Sequence, residues 1–383
     1  MRIGIITIHN SPSYGGSLQA FALYKFLEQR GYNVEIIDLH RPYQDDYQAS
    51  SRYKLYAEFS LKSFIKENLR KILCHKKRSP SAIGNHYSEI AFEKFSSFNG
   101  MLRYSKAYLG CDSLYENPPM YDVYITGSDQ VWNPYQPYCI EPYFLTFAPK
   151  GKKRIAYAAS IGLDCLPLKM EKLVSSWLKD YDKLAVREQQ TADYLKSLTG
   201  LEITTVSDPI FLLDSDYWKS IAVVPSKKGY ILMFTLSYNS SVLDYCKKLS
   251  AESERELISI RMKQSEYSKS AGYTAITDAG PAEFIGYMAN AELVITDSFH
   301  GTVFAFLMGA NNVFTYISEG NKRGVRIVNL YNELGYSNHI LRGNLVHSYE
   351  ALEAMNIDKK KVRETIKDMT NTSRQFLLDS LNE

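Results

Sequence analysis

Short β-branched runs alternate with amphipathic stretches from the first residues of the chain. Residues 2–8 form such a run and predict a strand, and residues 10–16, rich in Ser, Pro and Gly, predict a loop. Across 17–30 the apolar residues Leu18, Phe21, Ala22 and Leu27 fall on one side of a helix, which Gly31 stops. Residues 34–39 give a second strand. Strand, helix and strand joined by short loops make a βαβ unit, so the expected class is α/β with a parallel, doubly wound sheet.

Residues 41–118 break this rhythm. They are polar, basic and aromatic, with helices expected near 56–74 and 84–98, and read as an insertion at the rim of the first domain. The strand pattern resumes at 121–126 and continues at 154–159, 183–186 and 203–206, with helices between. Asp-Pro, Asp-Ser-Asp and Pro-Ser-Lys-Lys-Gly within 208–228 are turn signals and mark an interdomain linker. A second α/β series follows: strands at 229–236, 257–262, 293–297 and 312–317, and helices at 240–253, 281–290 and 301–309. The expected architecture is two Rossmann-like domains facing a central cleft, residues 1–220 and 221–357. A charged, periodic helix at 358–383 is expected to pack back on the first domain.

Composition narrows the function classes. The chain has 383 residues, 45% hydrophobic and 23% charged, as in soluble globular proteins. A net charge of +3 without a dominant basic block gives nucleic-acid binding no electrostatic support. Thirty tyrosines suit sugar binding and equally suit core and interface packing. Five scattered cysteines (Cys74, Cys111, Cys139, Cys165 and Cys246) show no metal-binding spacing, so reduced thiols and a cytoplasmic location are expected. The N-terminal run lacks the features of a signal peptide, and no segment approaches the roughly 18 apolar residues that span a bilayer. The Lys76-Lys77-Arg78 run among aromatics would suit peripheral contact with the inner membrane surface, and equally a solvated face.

Three strand-to-helix turns hold more polar chemistry than packing requires. Ligands of open parallel sheets bind at such carboxyl-end turns. In the first, Tyr14, Gly15 and Gly16 precede Ser17 at an expected helix start, where free amides bind an anion or a hydroxyl oxygen; a plain capped turn has the same composition. The second, Gly127-Ser128-Asp129-Gln130-Val131-Trp132-Asn133, sets a carboxylate, an amide and an indole past a strand end. Asp129 is placed to orient a sugar hydroxyl, or to cap a helix, and Trp132 to stack on a sugar ring. The third, Thr296-Asp297-Ser298-Phe299-His300-Gly301, puts His300 in the first turn of an apolar helix. A protonated imidazole there is disfavoured until an anion arrives, which suits an acid that loads its proton with substrate. Cations for an anionic ligand are at hand. Arg187 ends the strand at 183–186, and Lys322, Arg323 and Arg326 follow the strand at 312–317.

At these turns the sequence resembles the polysaccharide pyruvyl transferase family. The matching pieces are NSPSYGGSLQAFALYKFLEQRGYNVEIID, YDVYITGSDQVWNP, RIAYAASIG, LAVREQQTADYLKSLTG, VSDPIFLL and ELVITDSFHGTVFAFLMG, in the family's order. The resemblance implies a GT-B-like fold, phosphoenolpyruvate as donor, a glycan or lipid-linked oligosaccharide as acceptor, and a pyruvate ketal as product. It implies His300 as the catalytic histidine, with Arg187 and Lys322 or Arg323 binding the donor beside Ser298 and Gly301. It places the acceptor on the N-terminal domain near Tyr14, Gly15, Gly16, Gln19, Ser128, Asp129, Gln130, Trp132 and Asn133. Either His300 protonates C3 of the enol or it assists phosphate departure, and Asp129 or Glu283 accepts a hydroxyl proton. No metal or other cofactor is expected. Two other readings fit the same residues: a GT-B glycosyltransferase with a nucleotide-sugar donor, and a non-catalytic glycan- or nucleotide-binding protein. Acceptor identity, ketal stereochemistry and oligomeric state are not legible.

Overall fold

The computed structural model describes residues 1–383 except 43, 50–87, 137, 237, 262–271, 319–323 and 344. The expected helix near 56–74, the Lys76-Lys77-Arg78 run, and the predicted cations Lys322 and Arg323 lie outside the described residues.

The strands are β1 (Arg2–Ile6), β2 (Asn33–Ile36), β3 (Val123–Thr126), β4 (Lys153–Ala159), β5 (Lys183–Val186), β6 (Thr204–Thr205), β7 (Tyr230–Phe234), β8 (Leu257–Ile260), β9 (Thr274–Ile276), β10 (Ala291–Thr296), β11 (Asn312–Tyr316) and β12 (Ile340–Leu341). The helices are α1 (Tyr14–Glu28), α2 (Glu89–Asn99), α3 (Cys111–Glu116), α4 (Leu168–Leu178), α5 (Gln189–Thr199), α6 (Ser215–Ser220), α7 (Ser240–Ser253), α8 (Pro281–Asn290), α9 (Phe299–Met308), α10 (Val325–Leu334), α11 (Tyr349–Glu353) and α12 (Lys359–Asn382). The expected helix near 84–98 is α2, and α3 falls in the stretch read as irregular.

Two six-stranded sheets result, ordered β2-β1-β3-β4-β5-β6 and β12-β11-β10-β7-β8-β9. Every strand pair is parallel. Parallel strands are covered on both faces, which explains why β3, β5 and β7 read as almost unbroken apolar runs. In each sheet the chain starts on an interior strand, moves out to one edge and later doubles back past its own first strand. The order reverses between β1 and β3 in one sheet and between β7 and β10 in the other. Such reversals leave a crevice beyond the strand ends, because the flanking connections leave to opposite faces.

The halves share an apolar seam. Tyr14 at the start of α1 stacks on Phe284 of α8 at 4.4 Å, and Trp218 of α6 meets Phe304 of α9 edge-on at 5.0 Å. Helix α12 packs back on the first half: Ser373 accepts the Ser207 amide at 2.8 Å, and Lys183 pairs with Glu383 at 2.5 Å.

Candidate active site

The first reversal is tied together by Gln19, which is buried on α1. Its amide nitrogen donates to Thr7 Oγ1 at 2.9 Å and Ile8 O at 3.0 Å, and its oxygen accepts from Ser128 N at 3.2 Å. Gln19 and the buried Ser128 thus hold the turns after β1 and β3 in register. Helix α1 starts at Tyr14, three residues before the expected start, because Ser13 Oγ caps it by accepting from Gly16 N at 3.4 Å. Gly16 is therefore a helical residue with its amide occupied. Tyr14 donates its hydroxyl to Ala279 O at 2.8 Å, across the boundary between the halves.

The turn after β3 departs furthest from expectation. Trp132 offers no stacking face: its ring is fully buried, stacked on Phe144 at 5.0 Å, and its Nε1 donates to Tyr143 O at 2.8 Å. A large ring that finds both a packing partner and a buried acceptor is more stable enclosed than exposed. Asn133 is bonded to Gln130 at 3.2 Å and accepts from Tyr135 N at 2.9 Å. Asp129 alone in this turn directs a charge at the cleft. It adopts φ 71°, its carboxylate accepts the Gln130 amide at 2.8 Å, and Oδ1 lies 3.8 Å from Arg187 Nη2.

At the second reversal, Ser298 Oγ caps α9 by accepting from Gly301 N at 3.2 Å. A Cβ on Gly301 would lie 2.6 Å from Thr296 Oγ1 and 3.0 Å from Phe234, so this glycine serves the packing of α9 on its own sheet. Ser298 and Gly301 thus shape the turn from within it. Asp297 Oδ1 accepts Leu236 N at 2.7 Å and holds the loops after β7 and β10 together. Burial pushes its carboxyl up to about 6, against the opposing pull of that amide. Glu283, the other candidate base, is occupied elsewhere: it accepts from Gly280 N at 3.1 Å and pairs with Lys94 at 2.9 Å.

Between the reversals lies a charged centre drawn from both halves. Arg187 follows β5 and is enclosed by three carboxylates: Asp208 at 2.8 Å, Glu188 at 3.2 Å and Asp129 at 3.8 Å. Burial alone would lower its pKa, but Glu188, Asp208 and Asp129 hold it above its ordinary value. His300 Nε2 lies 3.4 Å from Asp208 Oδ2. Burial likewise opposes the charge on Asp208, yet His300 and Arg187 hold its carboxyl well below the usual range. Arg326, from the first turn of α10, lies 4.0 Å from Glu188. Burial and the neighbouring Arg187 push its guanidinium down to about 10. Phe299 separates the two arginines, 5.2 and 5.4 Å from its ring centre. A cavity of ≈ 450 Å³ opens beside them, lined by Arg187, Arg326, Phe299, Gln190, Asn329 and Thr372 among others.

His300 and Arg187, from turns some hundred residues apart, thus converge, and Gly15 joins them: a Cβ there would overlap the His300 ring. The sequence reading missed Asp208 as a site residue. Its Asp-Pro pair reads as a turn signal, although it follows β6 at the carboxyl edge that supplies the other turns. Arg326 was noted only as one of three cations. Among the described residues no cluster is suited to hold a metal ion, and no helix is long and apolar enough to cross a membrane.

A sequence model of a family described as polysaccharide pyruvyl transferase matches residues 14–319. Among curated proteins, none matches the chain. Solved structures share its fold at low identity. AviGT4, a glycosyltransferase involved in avilamycin A biosynthesis, is 11% identical with a TM-score of 0.52, covering 99% of this chain and 97% of its own. The Methanocaldococcus jannaschii UDP-GlcNAc 2-epimerase, in complex with UDP-GlcNAc and UDP, is 14% identical with a TM-score of 0.50, covering 98% of this chain and 94% of its own. These neighbours identify the architecture as GT-B.

Proposed function

Since the chain belongs to the polysaccharide pyruvyl transferase family, we propose that it transfers a pyruvyl group from phosphoenolpyruvate to two hydroxyls of one sugar, forming a ketal. The acceptor is a surface or capsular polysaccharide, or its lipid-linked precursor at the inner membrane surface. The observation that carries this reading is the charged centre itself: Arg187 and Arg326, one from each half, line one cavity together with Asp208, which stands 3.4 Å from His300. Phosphoenolpyruvate presents a phosphate and a carboxylate, and guanidinium groups bind either in a bidentate manner. Arg187 and Arg326 are the clamp, with Lys322 or Arg323, which follow the matched residues 14–319, as the further donor cation that the resemblance implies.

In the reaction, His300 gives a proton to C3 of the enol as the first sugar hydroxyl adds to C2. Asp129, its side chain 20% exposed beside Arg187, takes the proton of that hydroxyl. The second hydroxyl then attacks C2, and the bond from C2 to the phosphate oxygen breaks with its electron pair. Of the two hydroxyl protons, one restores His300 and the other leaves with phosphate. Arg187 and Arg326 stabilise the departing phosphate.

Purified protein incubated with phosphoenolpyruvate and a panel of galactoside, glucoside and N-acetylmannosamine acceptors, free and lipid-linked, is expected to release phosphate and yield a pyruvylated sugar. Absence of both products across the panel overturns the reading. Glycosyl transfer from a nucleotide sugar is the second reading, favoured by the GT-B architecture. Calorimetry that finds tight binding of UDP and none of phosphoenolpyruvate would establish it. A non-catalytic binding role would leave ligand affinity and cellular phenotype unchanged in His300→Ala.

A further inference from the structure

Asp208 follows β6, the last strand of the first sheet, and reaches the second half. Its side chain is 0% exposed. Oδ1 accepts the amide of Ile210 at 3.1 Å, which opens the 3-10 turn Pro209–Leu212. Oδ2 accepts from Arg187 Nη1 at 2.8 Å and stands 3.4 Å from His300 Nε2. That contact is within ion-pair range but is not aligned as a hydrogen bond, and Nε2 is enclosed without another partner. The ring nevertheless keeps 13% of its surface exposed, so its open part lies away from Nε2. Nδ1 is the ring atom nearest to where a Cβ on Gly15 would stand.

These positions divide the two nitrogens. A buried carboxylate is acceptor-only, so beside Nε2 it selects the ring form that carries hydrogen there. The neutral ring is left with a lone pair on Nδ1, and the protonated ring with an N–H. Resting on the pyruvyl-transfer reading, we propose that His300 exchanges its proton with substrate through Nδ1. Asp208 positions the ring by its charge beside Nε2–H, and Gly15, lacking a Cβ, leaves the imidazole itself room to stand there. The charged group facing this ring is Asp208, which also pairs with Arg187; Asp129 and Glu188 engage Arg187 in turn, and Asp297, three residues before the ring, is turned to the Leu236 amide. In the reaction above, the proton that reaches C3 leaves from Nδ1, and the one that restores the ring returns there. The N–H at Nε2 stays with Asp208 throughout, so its loss would affect proton transfer and not only folding.

The test is histidine ¹⁵N NMR of the full chain across pH, on wild type, Asp208→Asn and Gly15→Ala. Wild type is expected to hold its neutral-form hydrogen on Nε2, and added phosphoenolpyruvate to move the Nδ1 signal more than the Nε2 signal. Asp208→Asn is expected to mix the tautomers, lower kcat by about 10–100-fold and move the alkaline limb of the kcat profile to lower pH. Gly15→Ala, whose Cβ would overlap the ring, is expected to displace it from Asp208, so that the single Nε2–H form and the response of Nδ1 to phosphoenolpyruvate are lost together. An Nδ1–H tautomer in wild type overturns the proposal. So does an Asp208→Asn protein that keeps the wild-type tautomer and pH profile and loses only thermal stability. The wild-type tautomer is read without turnover and without any variant folding. Wild type that carries hydrogen on Nε2 but never releases phosphate therefore sinks pyruvyl transfer alone.

Discussion

Two seams join the halves of this molecule, and they are built on opposite principles. In the apolar seam, Tyr14, Phe95, Phe284, Trp218 and Phe304 interlock, with ring centres 4.4–5.0 Å apart in the closest pairs. Aromatic pairs of this kind contribute about 0.5–1.5 kcal/mol each beyond the area they bury. In the charged seam, Arg187 and Asp208 are as deeply enclosed, His300 and Arg326 keep 13% and 15% of their side chains exposed, and pairing is incomplete: Arg187 Nη2 and His300 Nε2 are buried without a hydrogen bond. Enclosed donors left unmet are costly, so rigid surroundings must hold them in place. The apolar seam supplies that rigidity. It sets the spacing at which Gly15 meets His300, while in the charged seam Nε2 of His300 stays against Asp208 and Arg187 Nη2 is the donor left for a ligand.

The strongest way to break this contrast is Arg187→Met. The substitution removes the cation enclosed by Asp129, Glu188 and Asp208 while roughly keeping the volume. Stranding buried carboxylates is expected to cost on the order of 3–5 kcal/mol. Chemical denaturation should show that loss, and calorimetry should show loss of phosphoenolpyruvate binding. A variant of unchanged stability would mean that the carboxylates are not held by Arg187, and the charged seam would need another account.

The strands are more legible in the sequence than either seam. Period and turn signals place most strands within two residues, since continuous apolar runs and short loops leave few alternatives. What they cannot reveal is pairing across long separations. Asp208 lies 21 residues from Arg187 and 92 from His300 in sequence, and nothing local in Ser-Asp-Pro marks it as their shared partner. Trp132 shows the converse. An indole beside Asp and Gln in a turn reads as a sugar platform, but the ring satisfies its N–H with Tyr143 and turns inward. His300 was legible because no packing reason explained it; the glycines beside it were legible as turns, not as clearance.

A gentler probe works at the edge of the charged seam. The Asp297 carboxyl, pushed up to about 6 by burial, is protonated more readily in the folded chain than its ordinary value of 3.8 allows. A raised carboxyl pKa means that the folded state binds the extra proton between those values. Stability is therefore greatest at the acid end of that window and falls as pH rises through it, levelling above about 6. The loss is on the order of 3 kcal/mol. Asp297→Asn should flatten this part of the curve in urea unfolding between pH 4 and 6.5; an unchanged slope would show that the carboxyl titrates normally.

The smallest expected effect sharpens the contrast from the apolar side. Tyr14→Phe keeps the stack on Phe284 and removes the hydroxyl that donates to Ala279 O. Ala279 is buried, so its carbonyl loses a partner at a cost of about 1 kcal/mol. Thermal unfolding should register that loss. Phosphoenolpyruvate affinity and the His300 ¹⁵N signals should stay at wild-type values, because ring packing and not the hydroxyl sets the approach of Gly15 to His300. If affinity for phosphoenolpyruvate falls tenfold with so small a change in stability, the hydroxyl bridge itself holds the halves in register. The two seams would then be one mechanical unit, with the apolar part tuning the charged part through a single hydrogen bond.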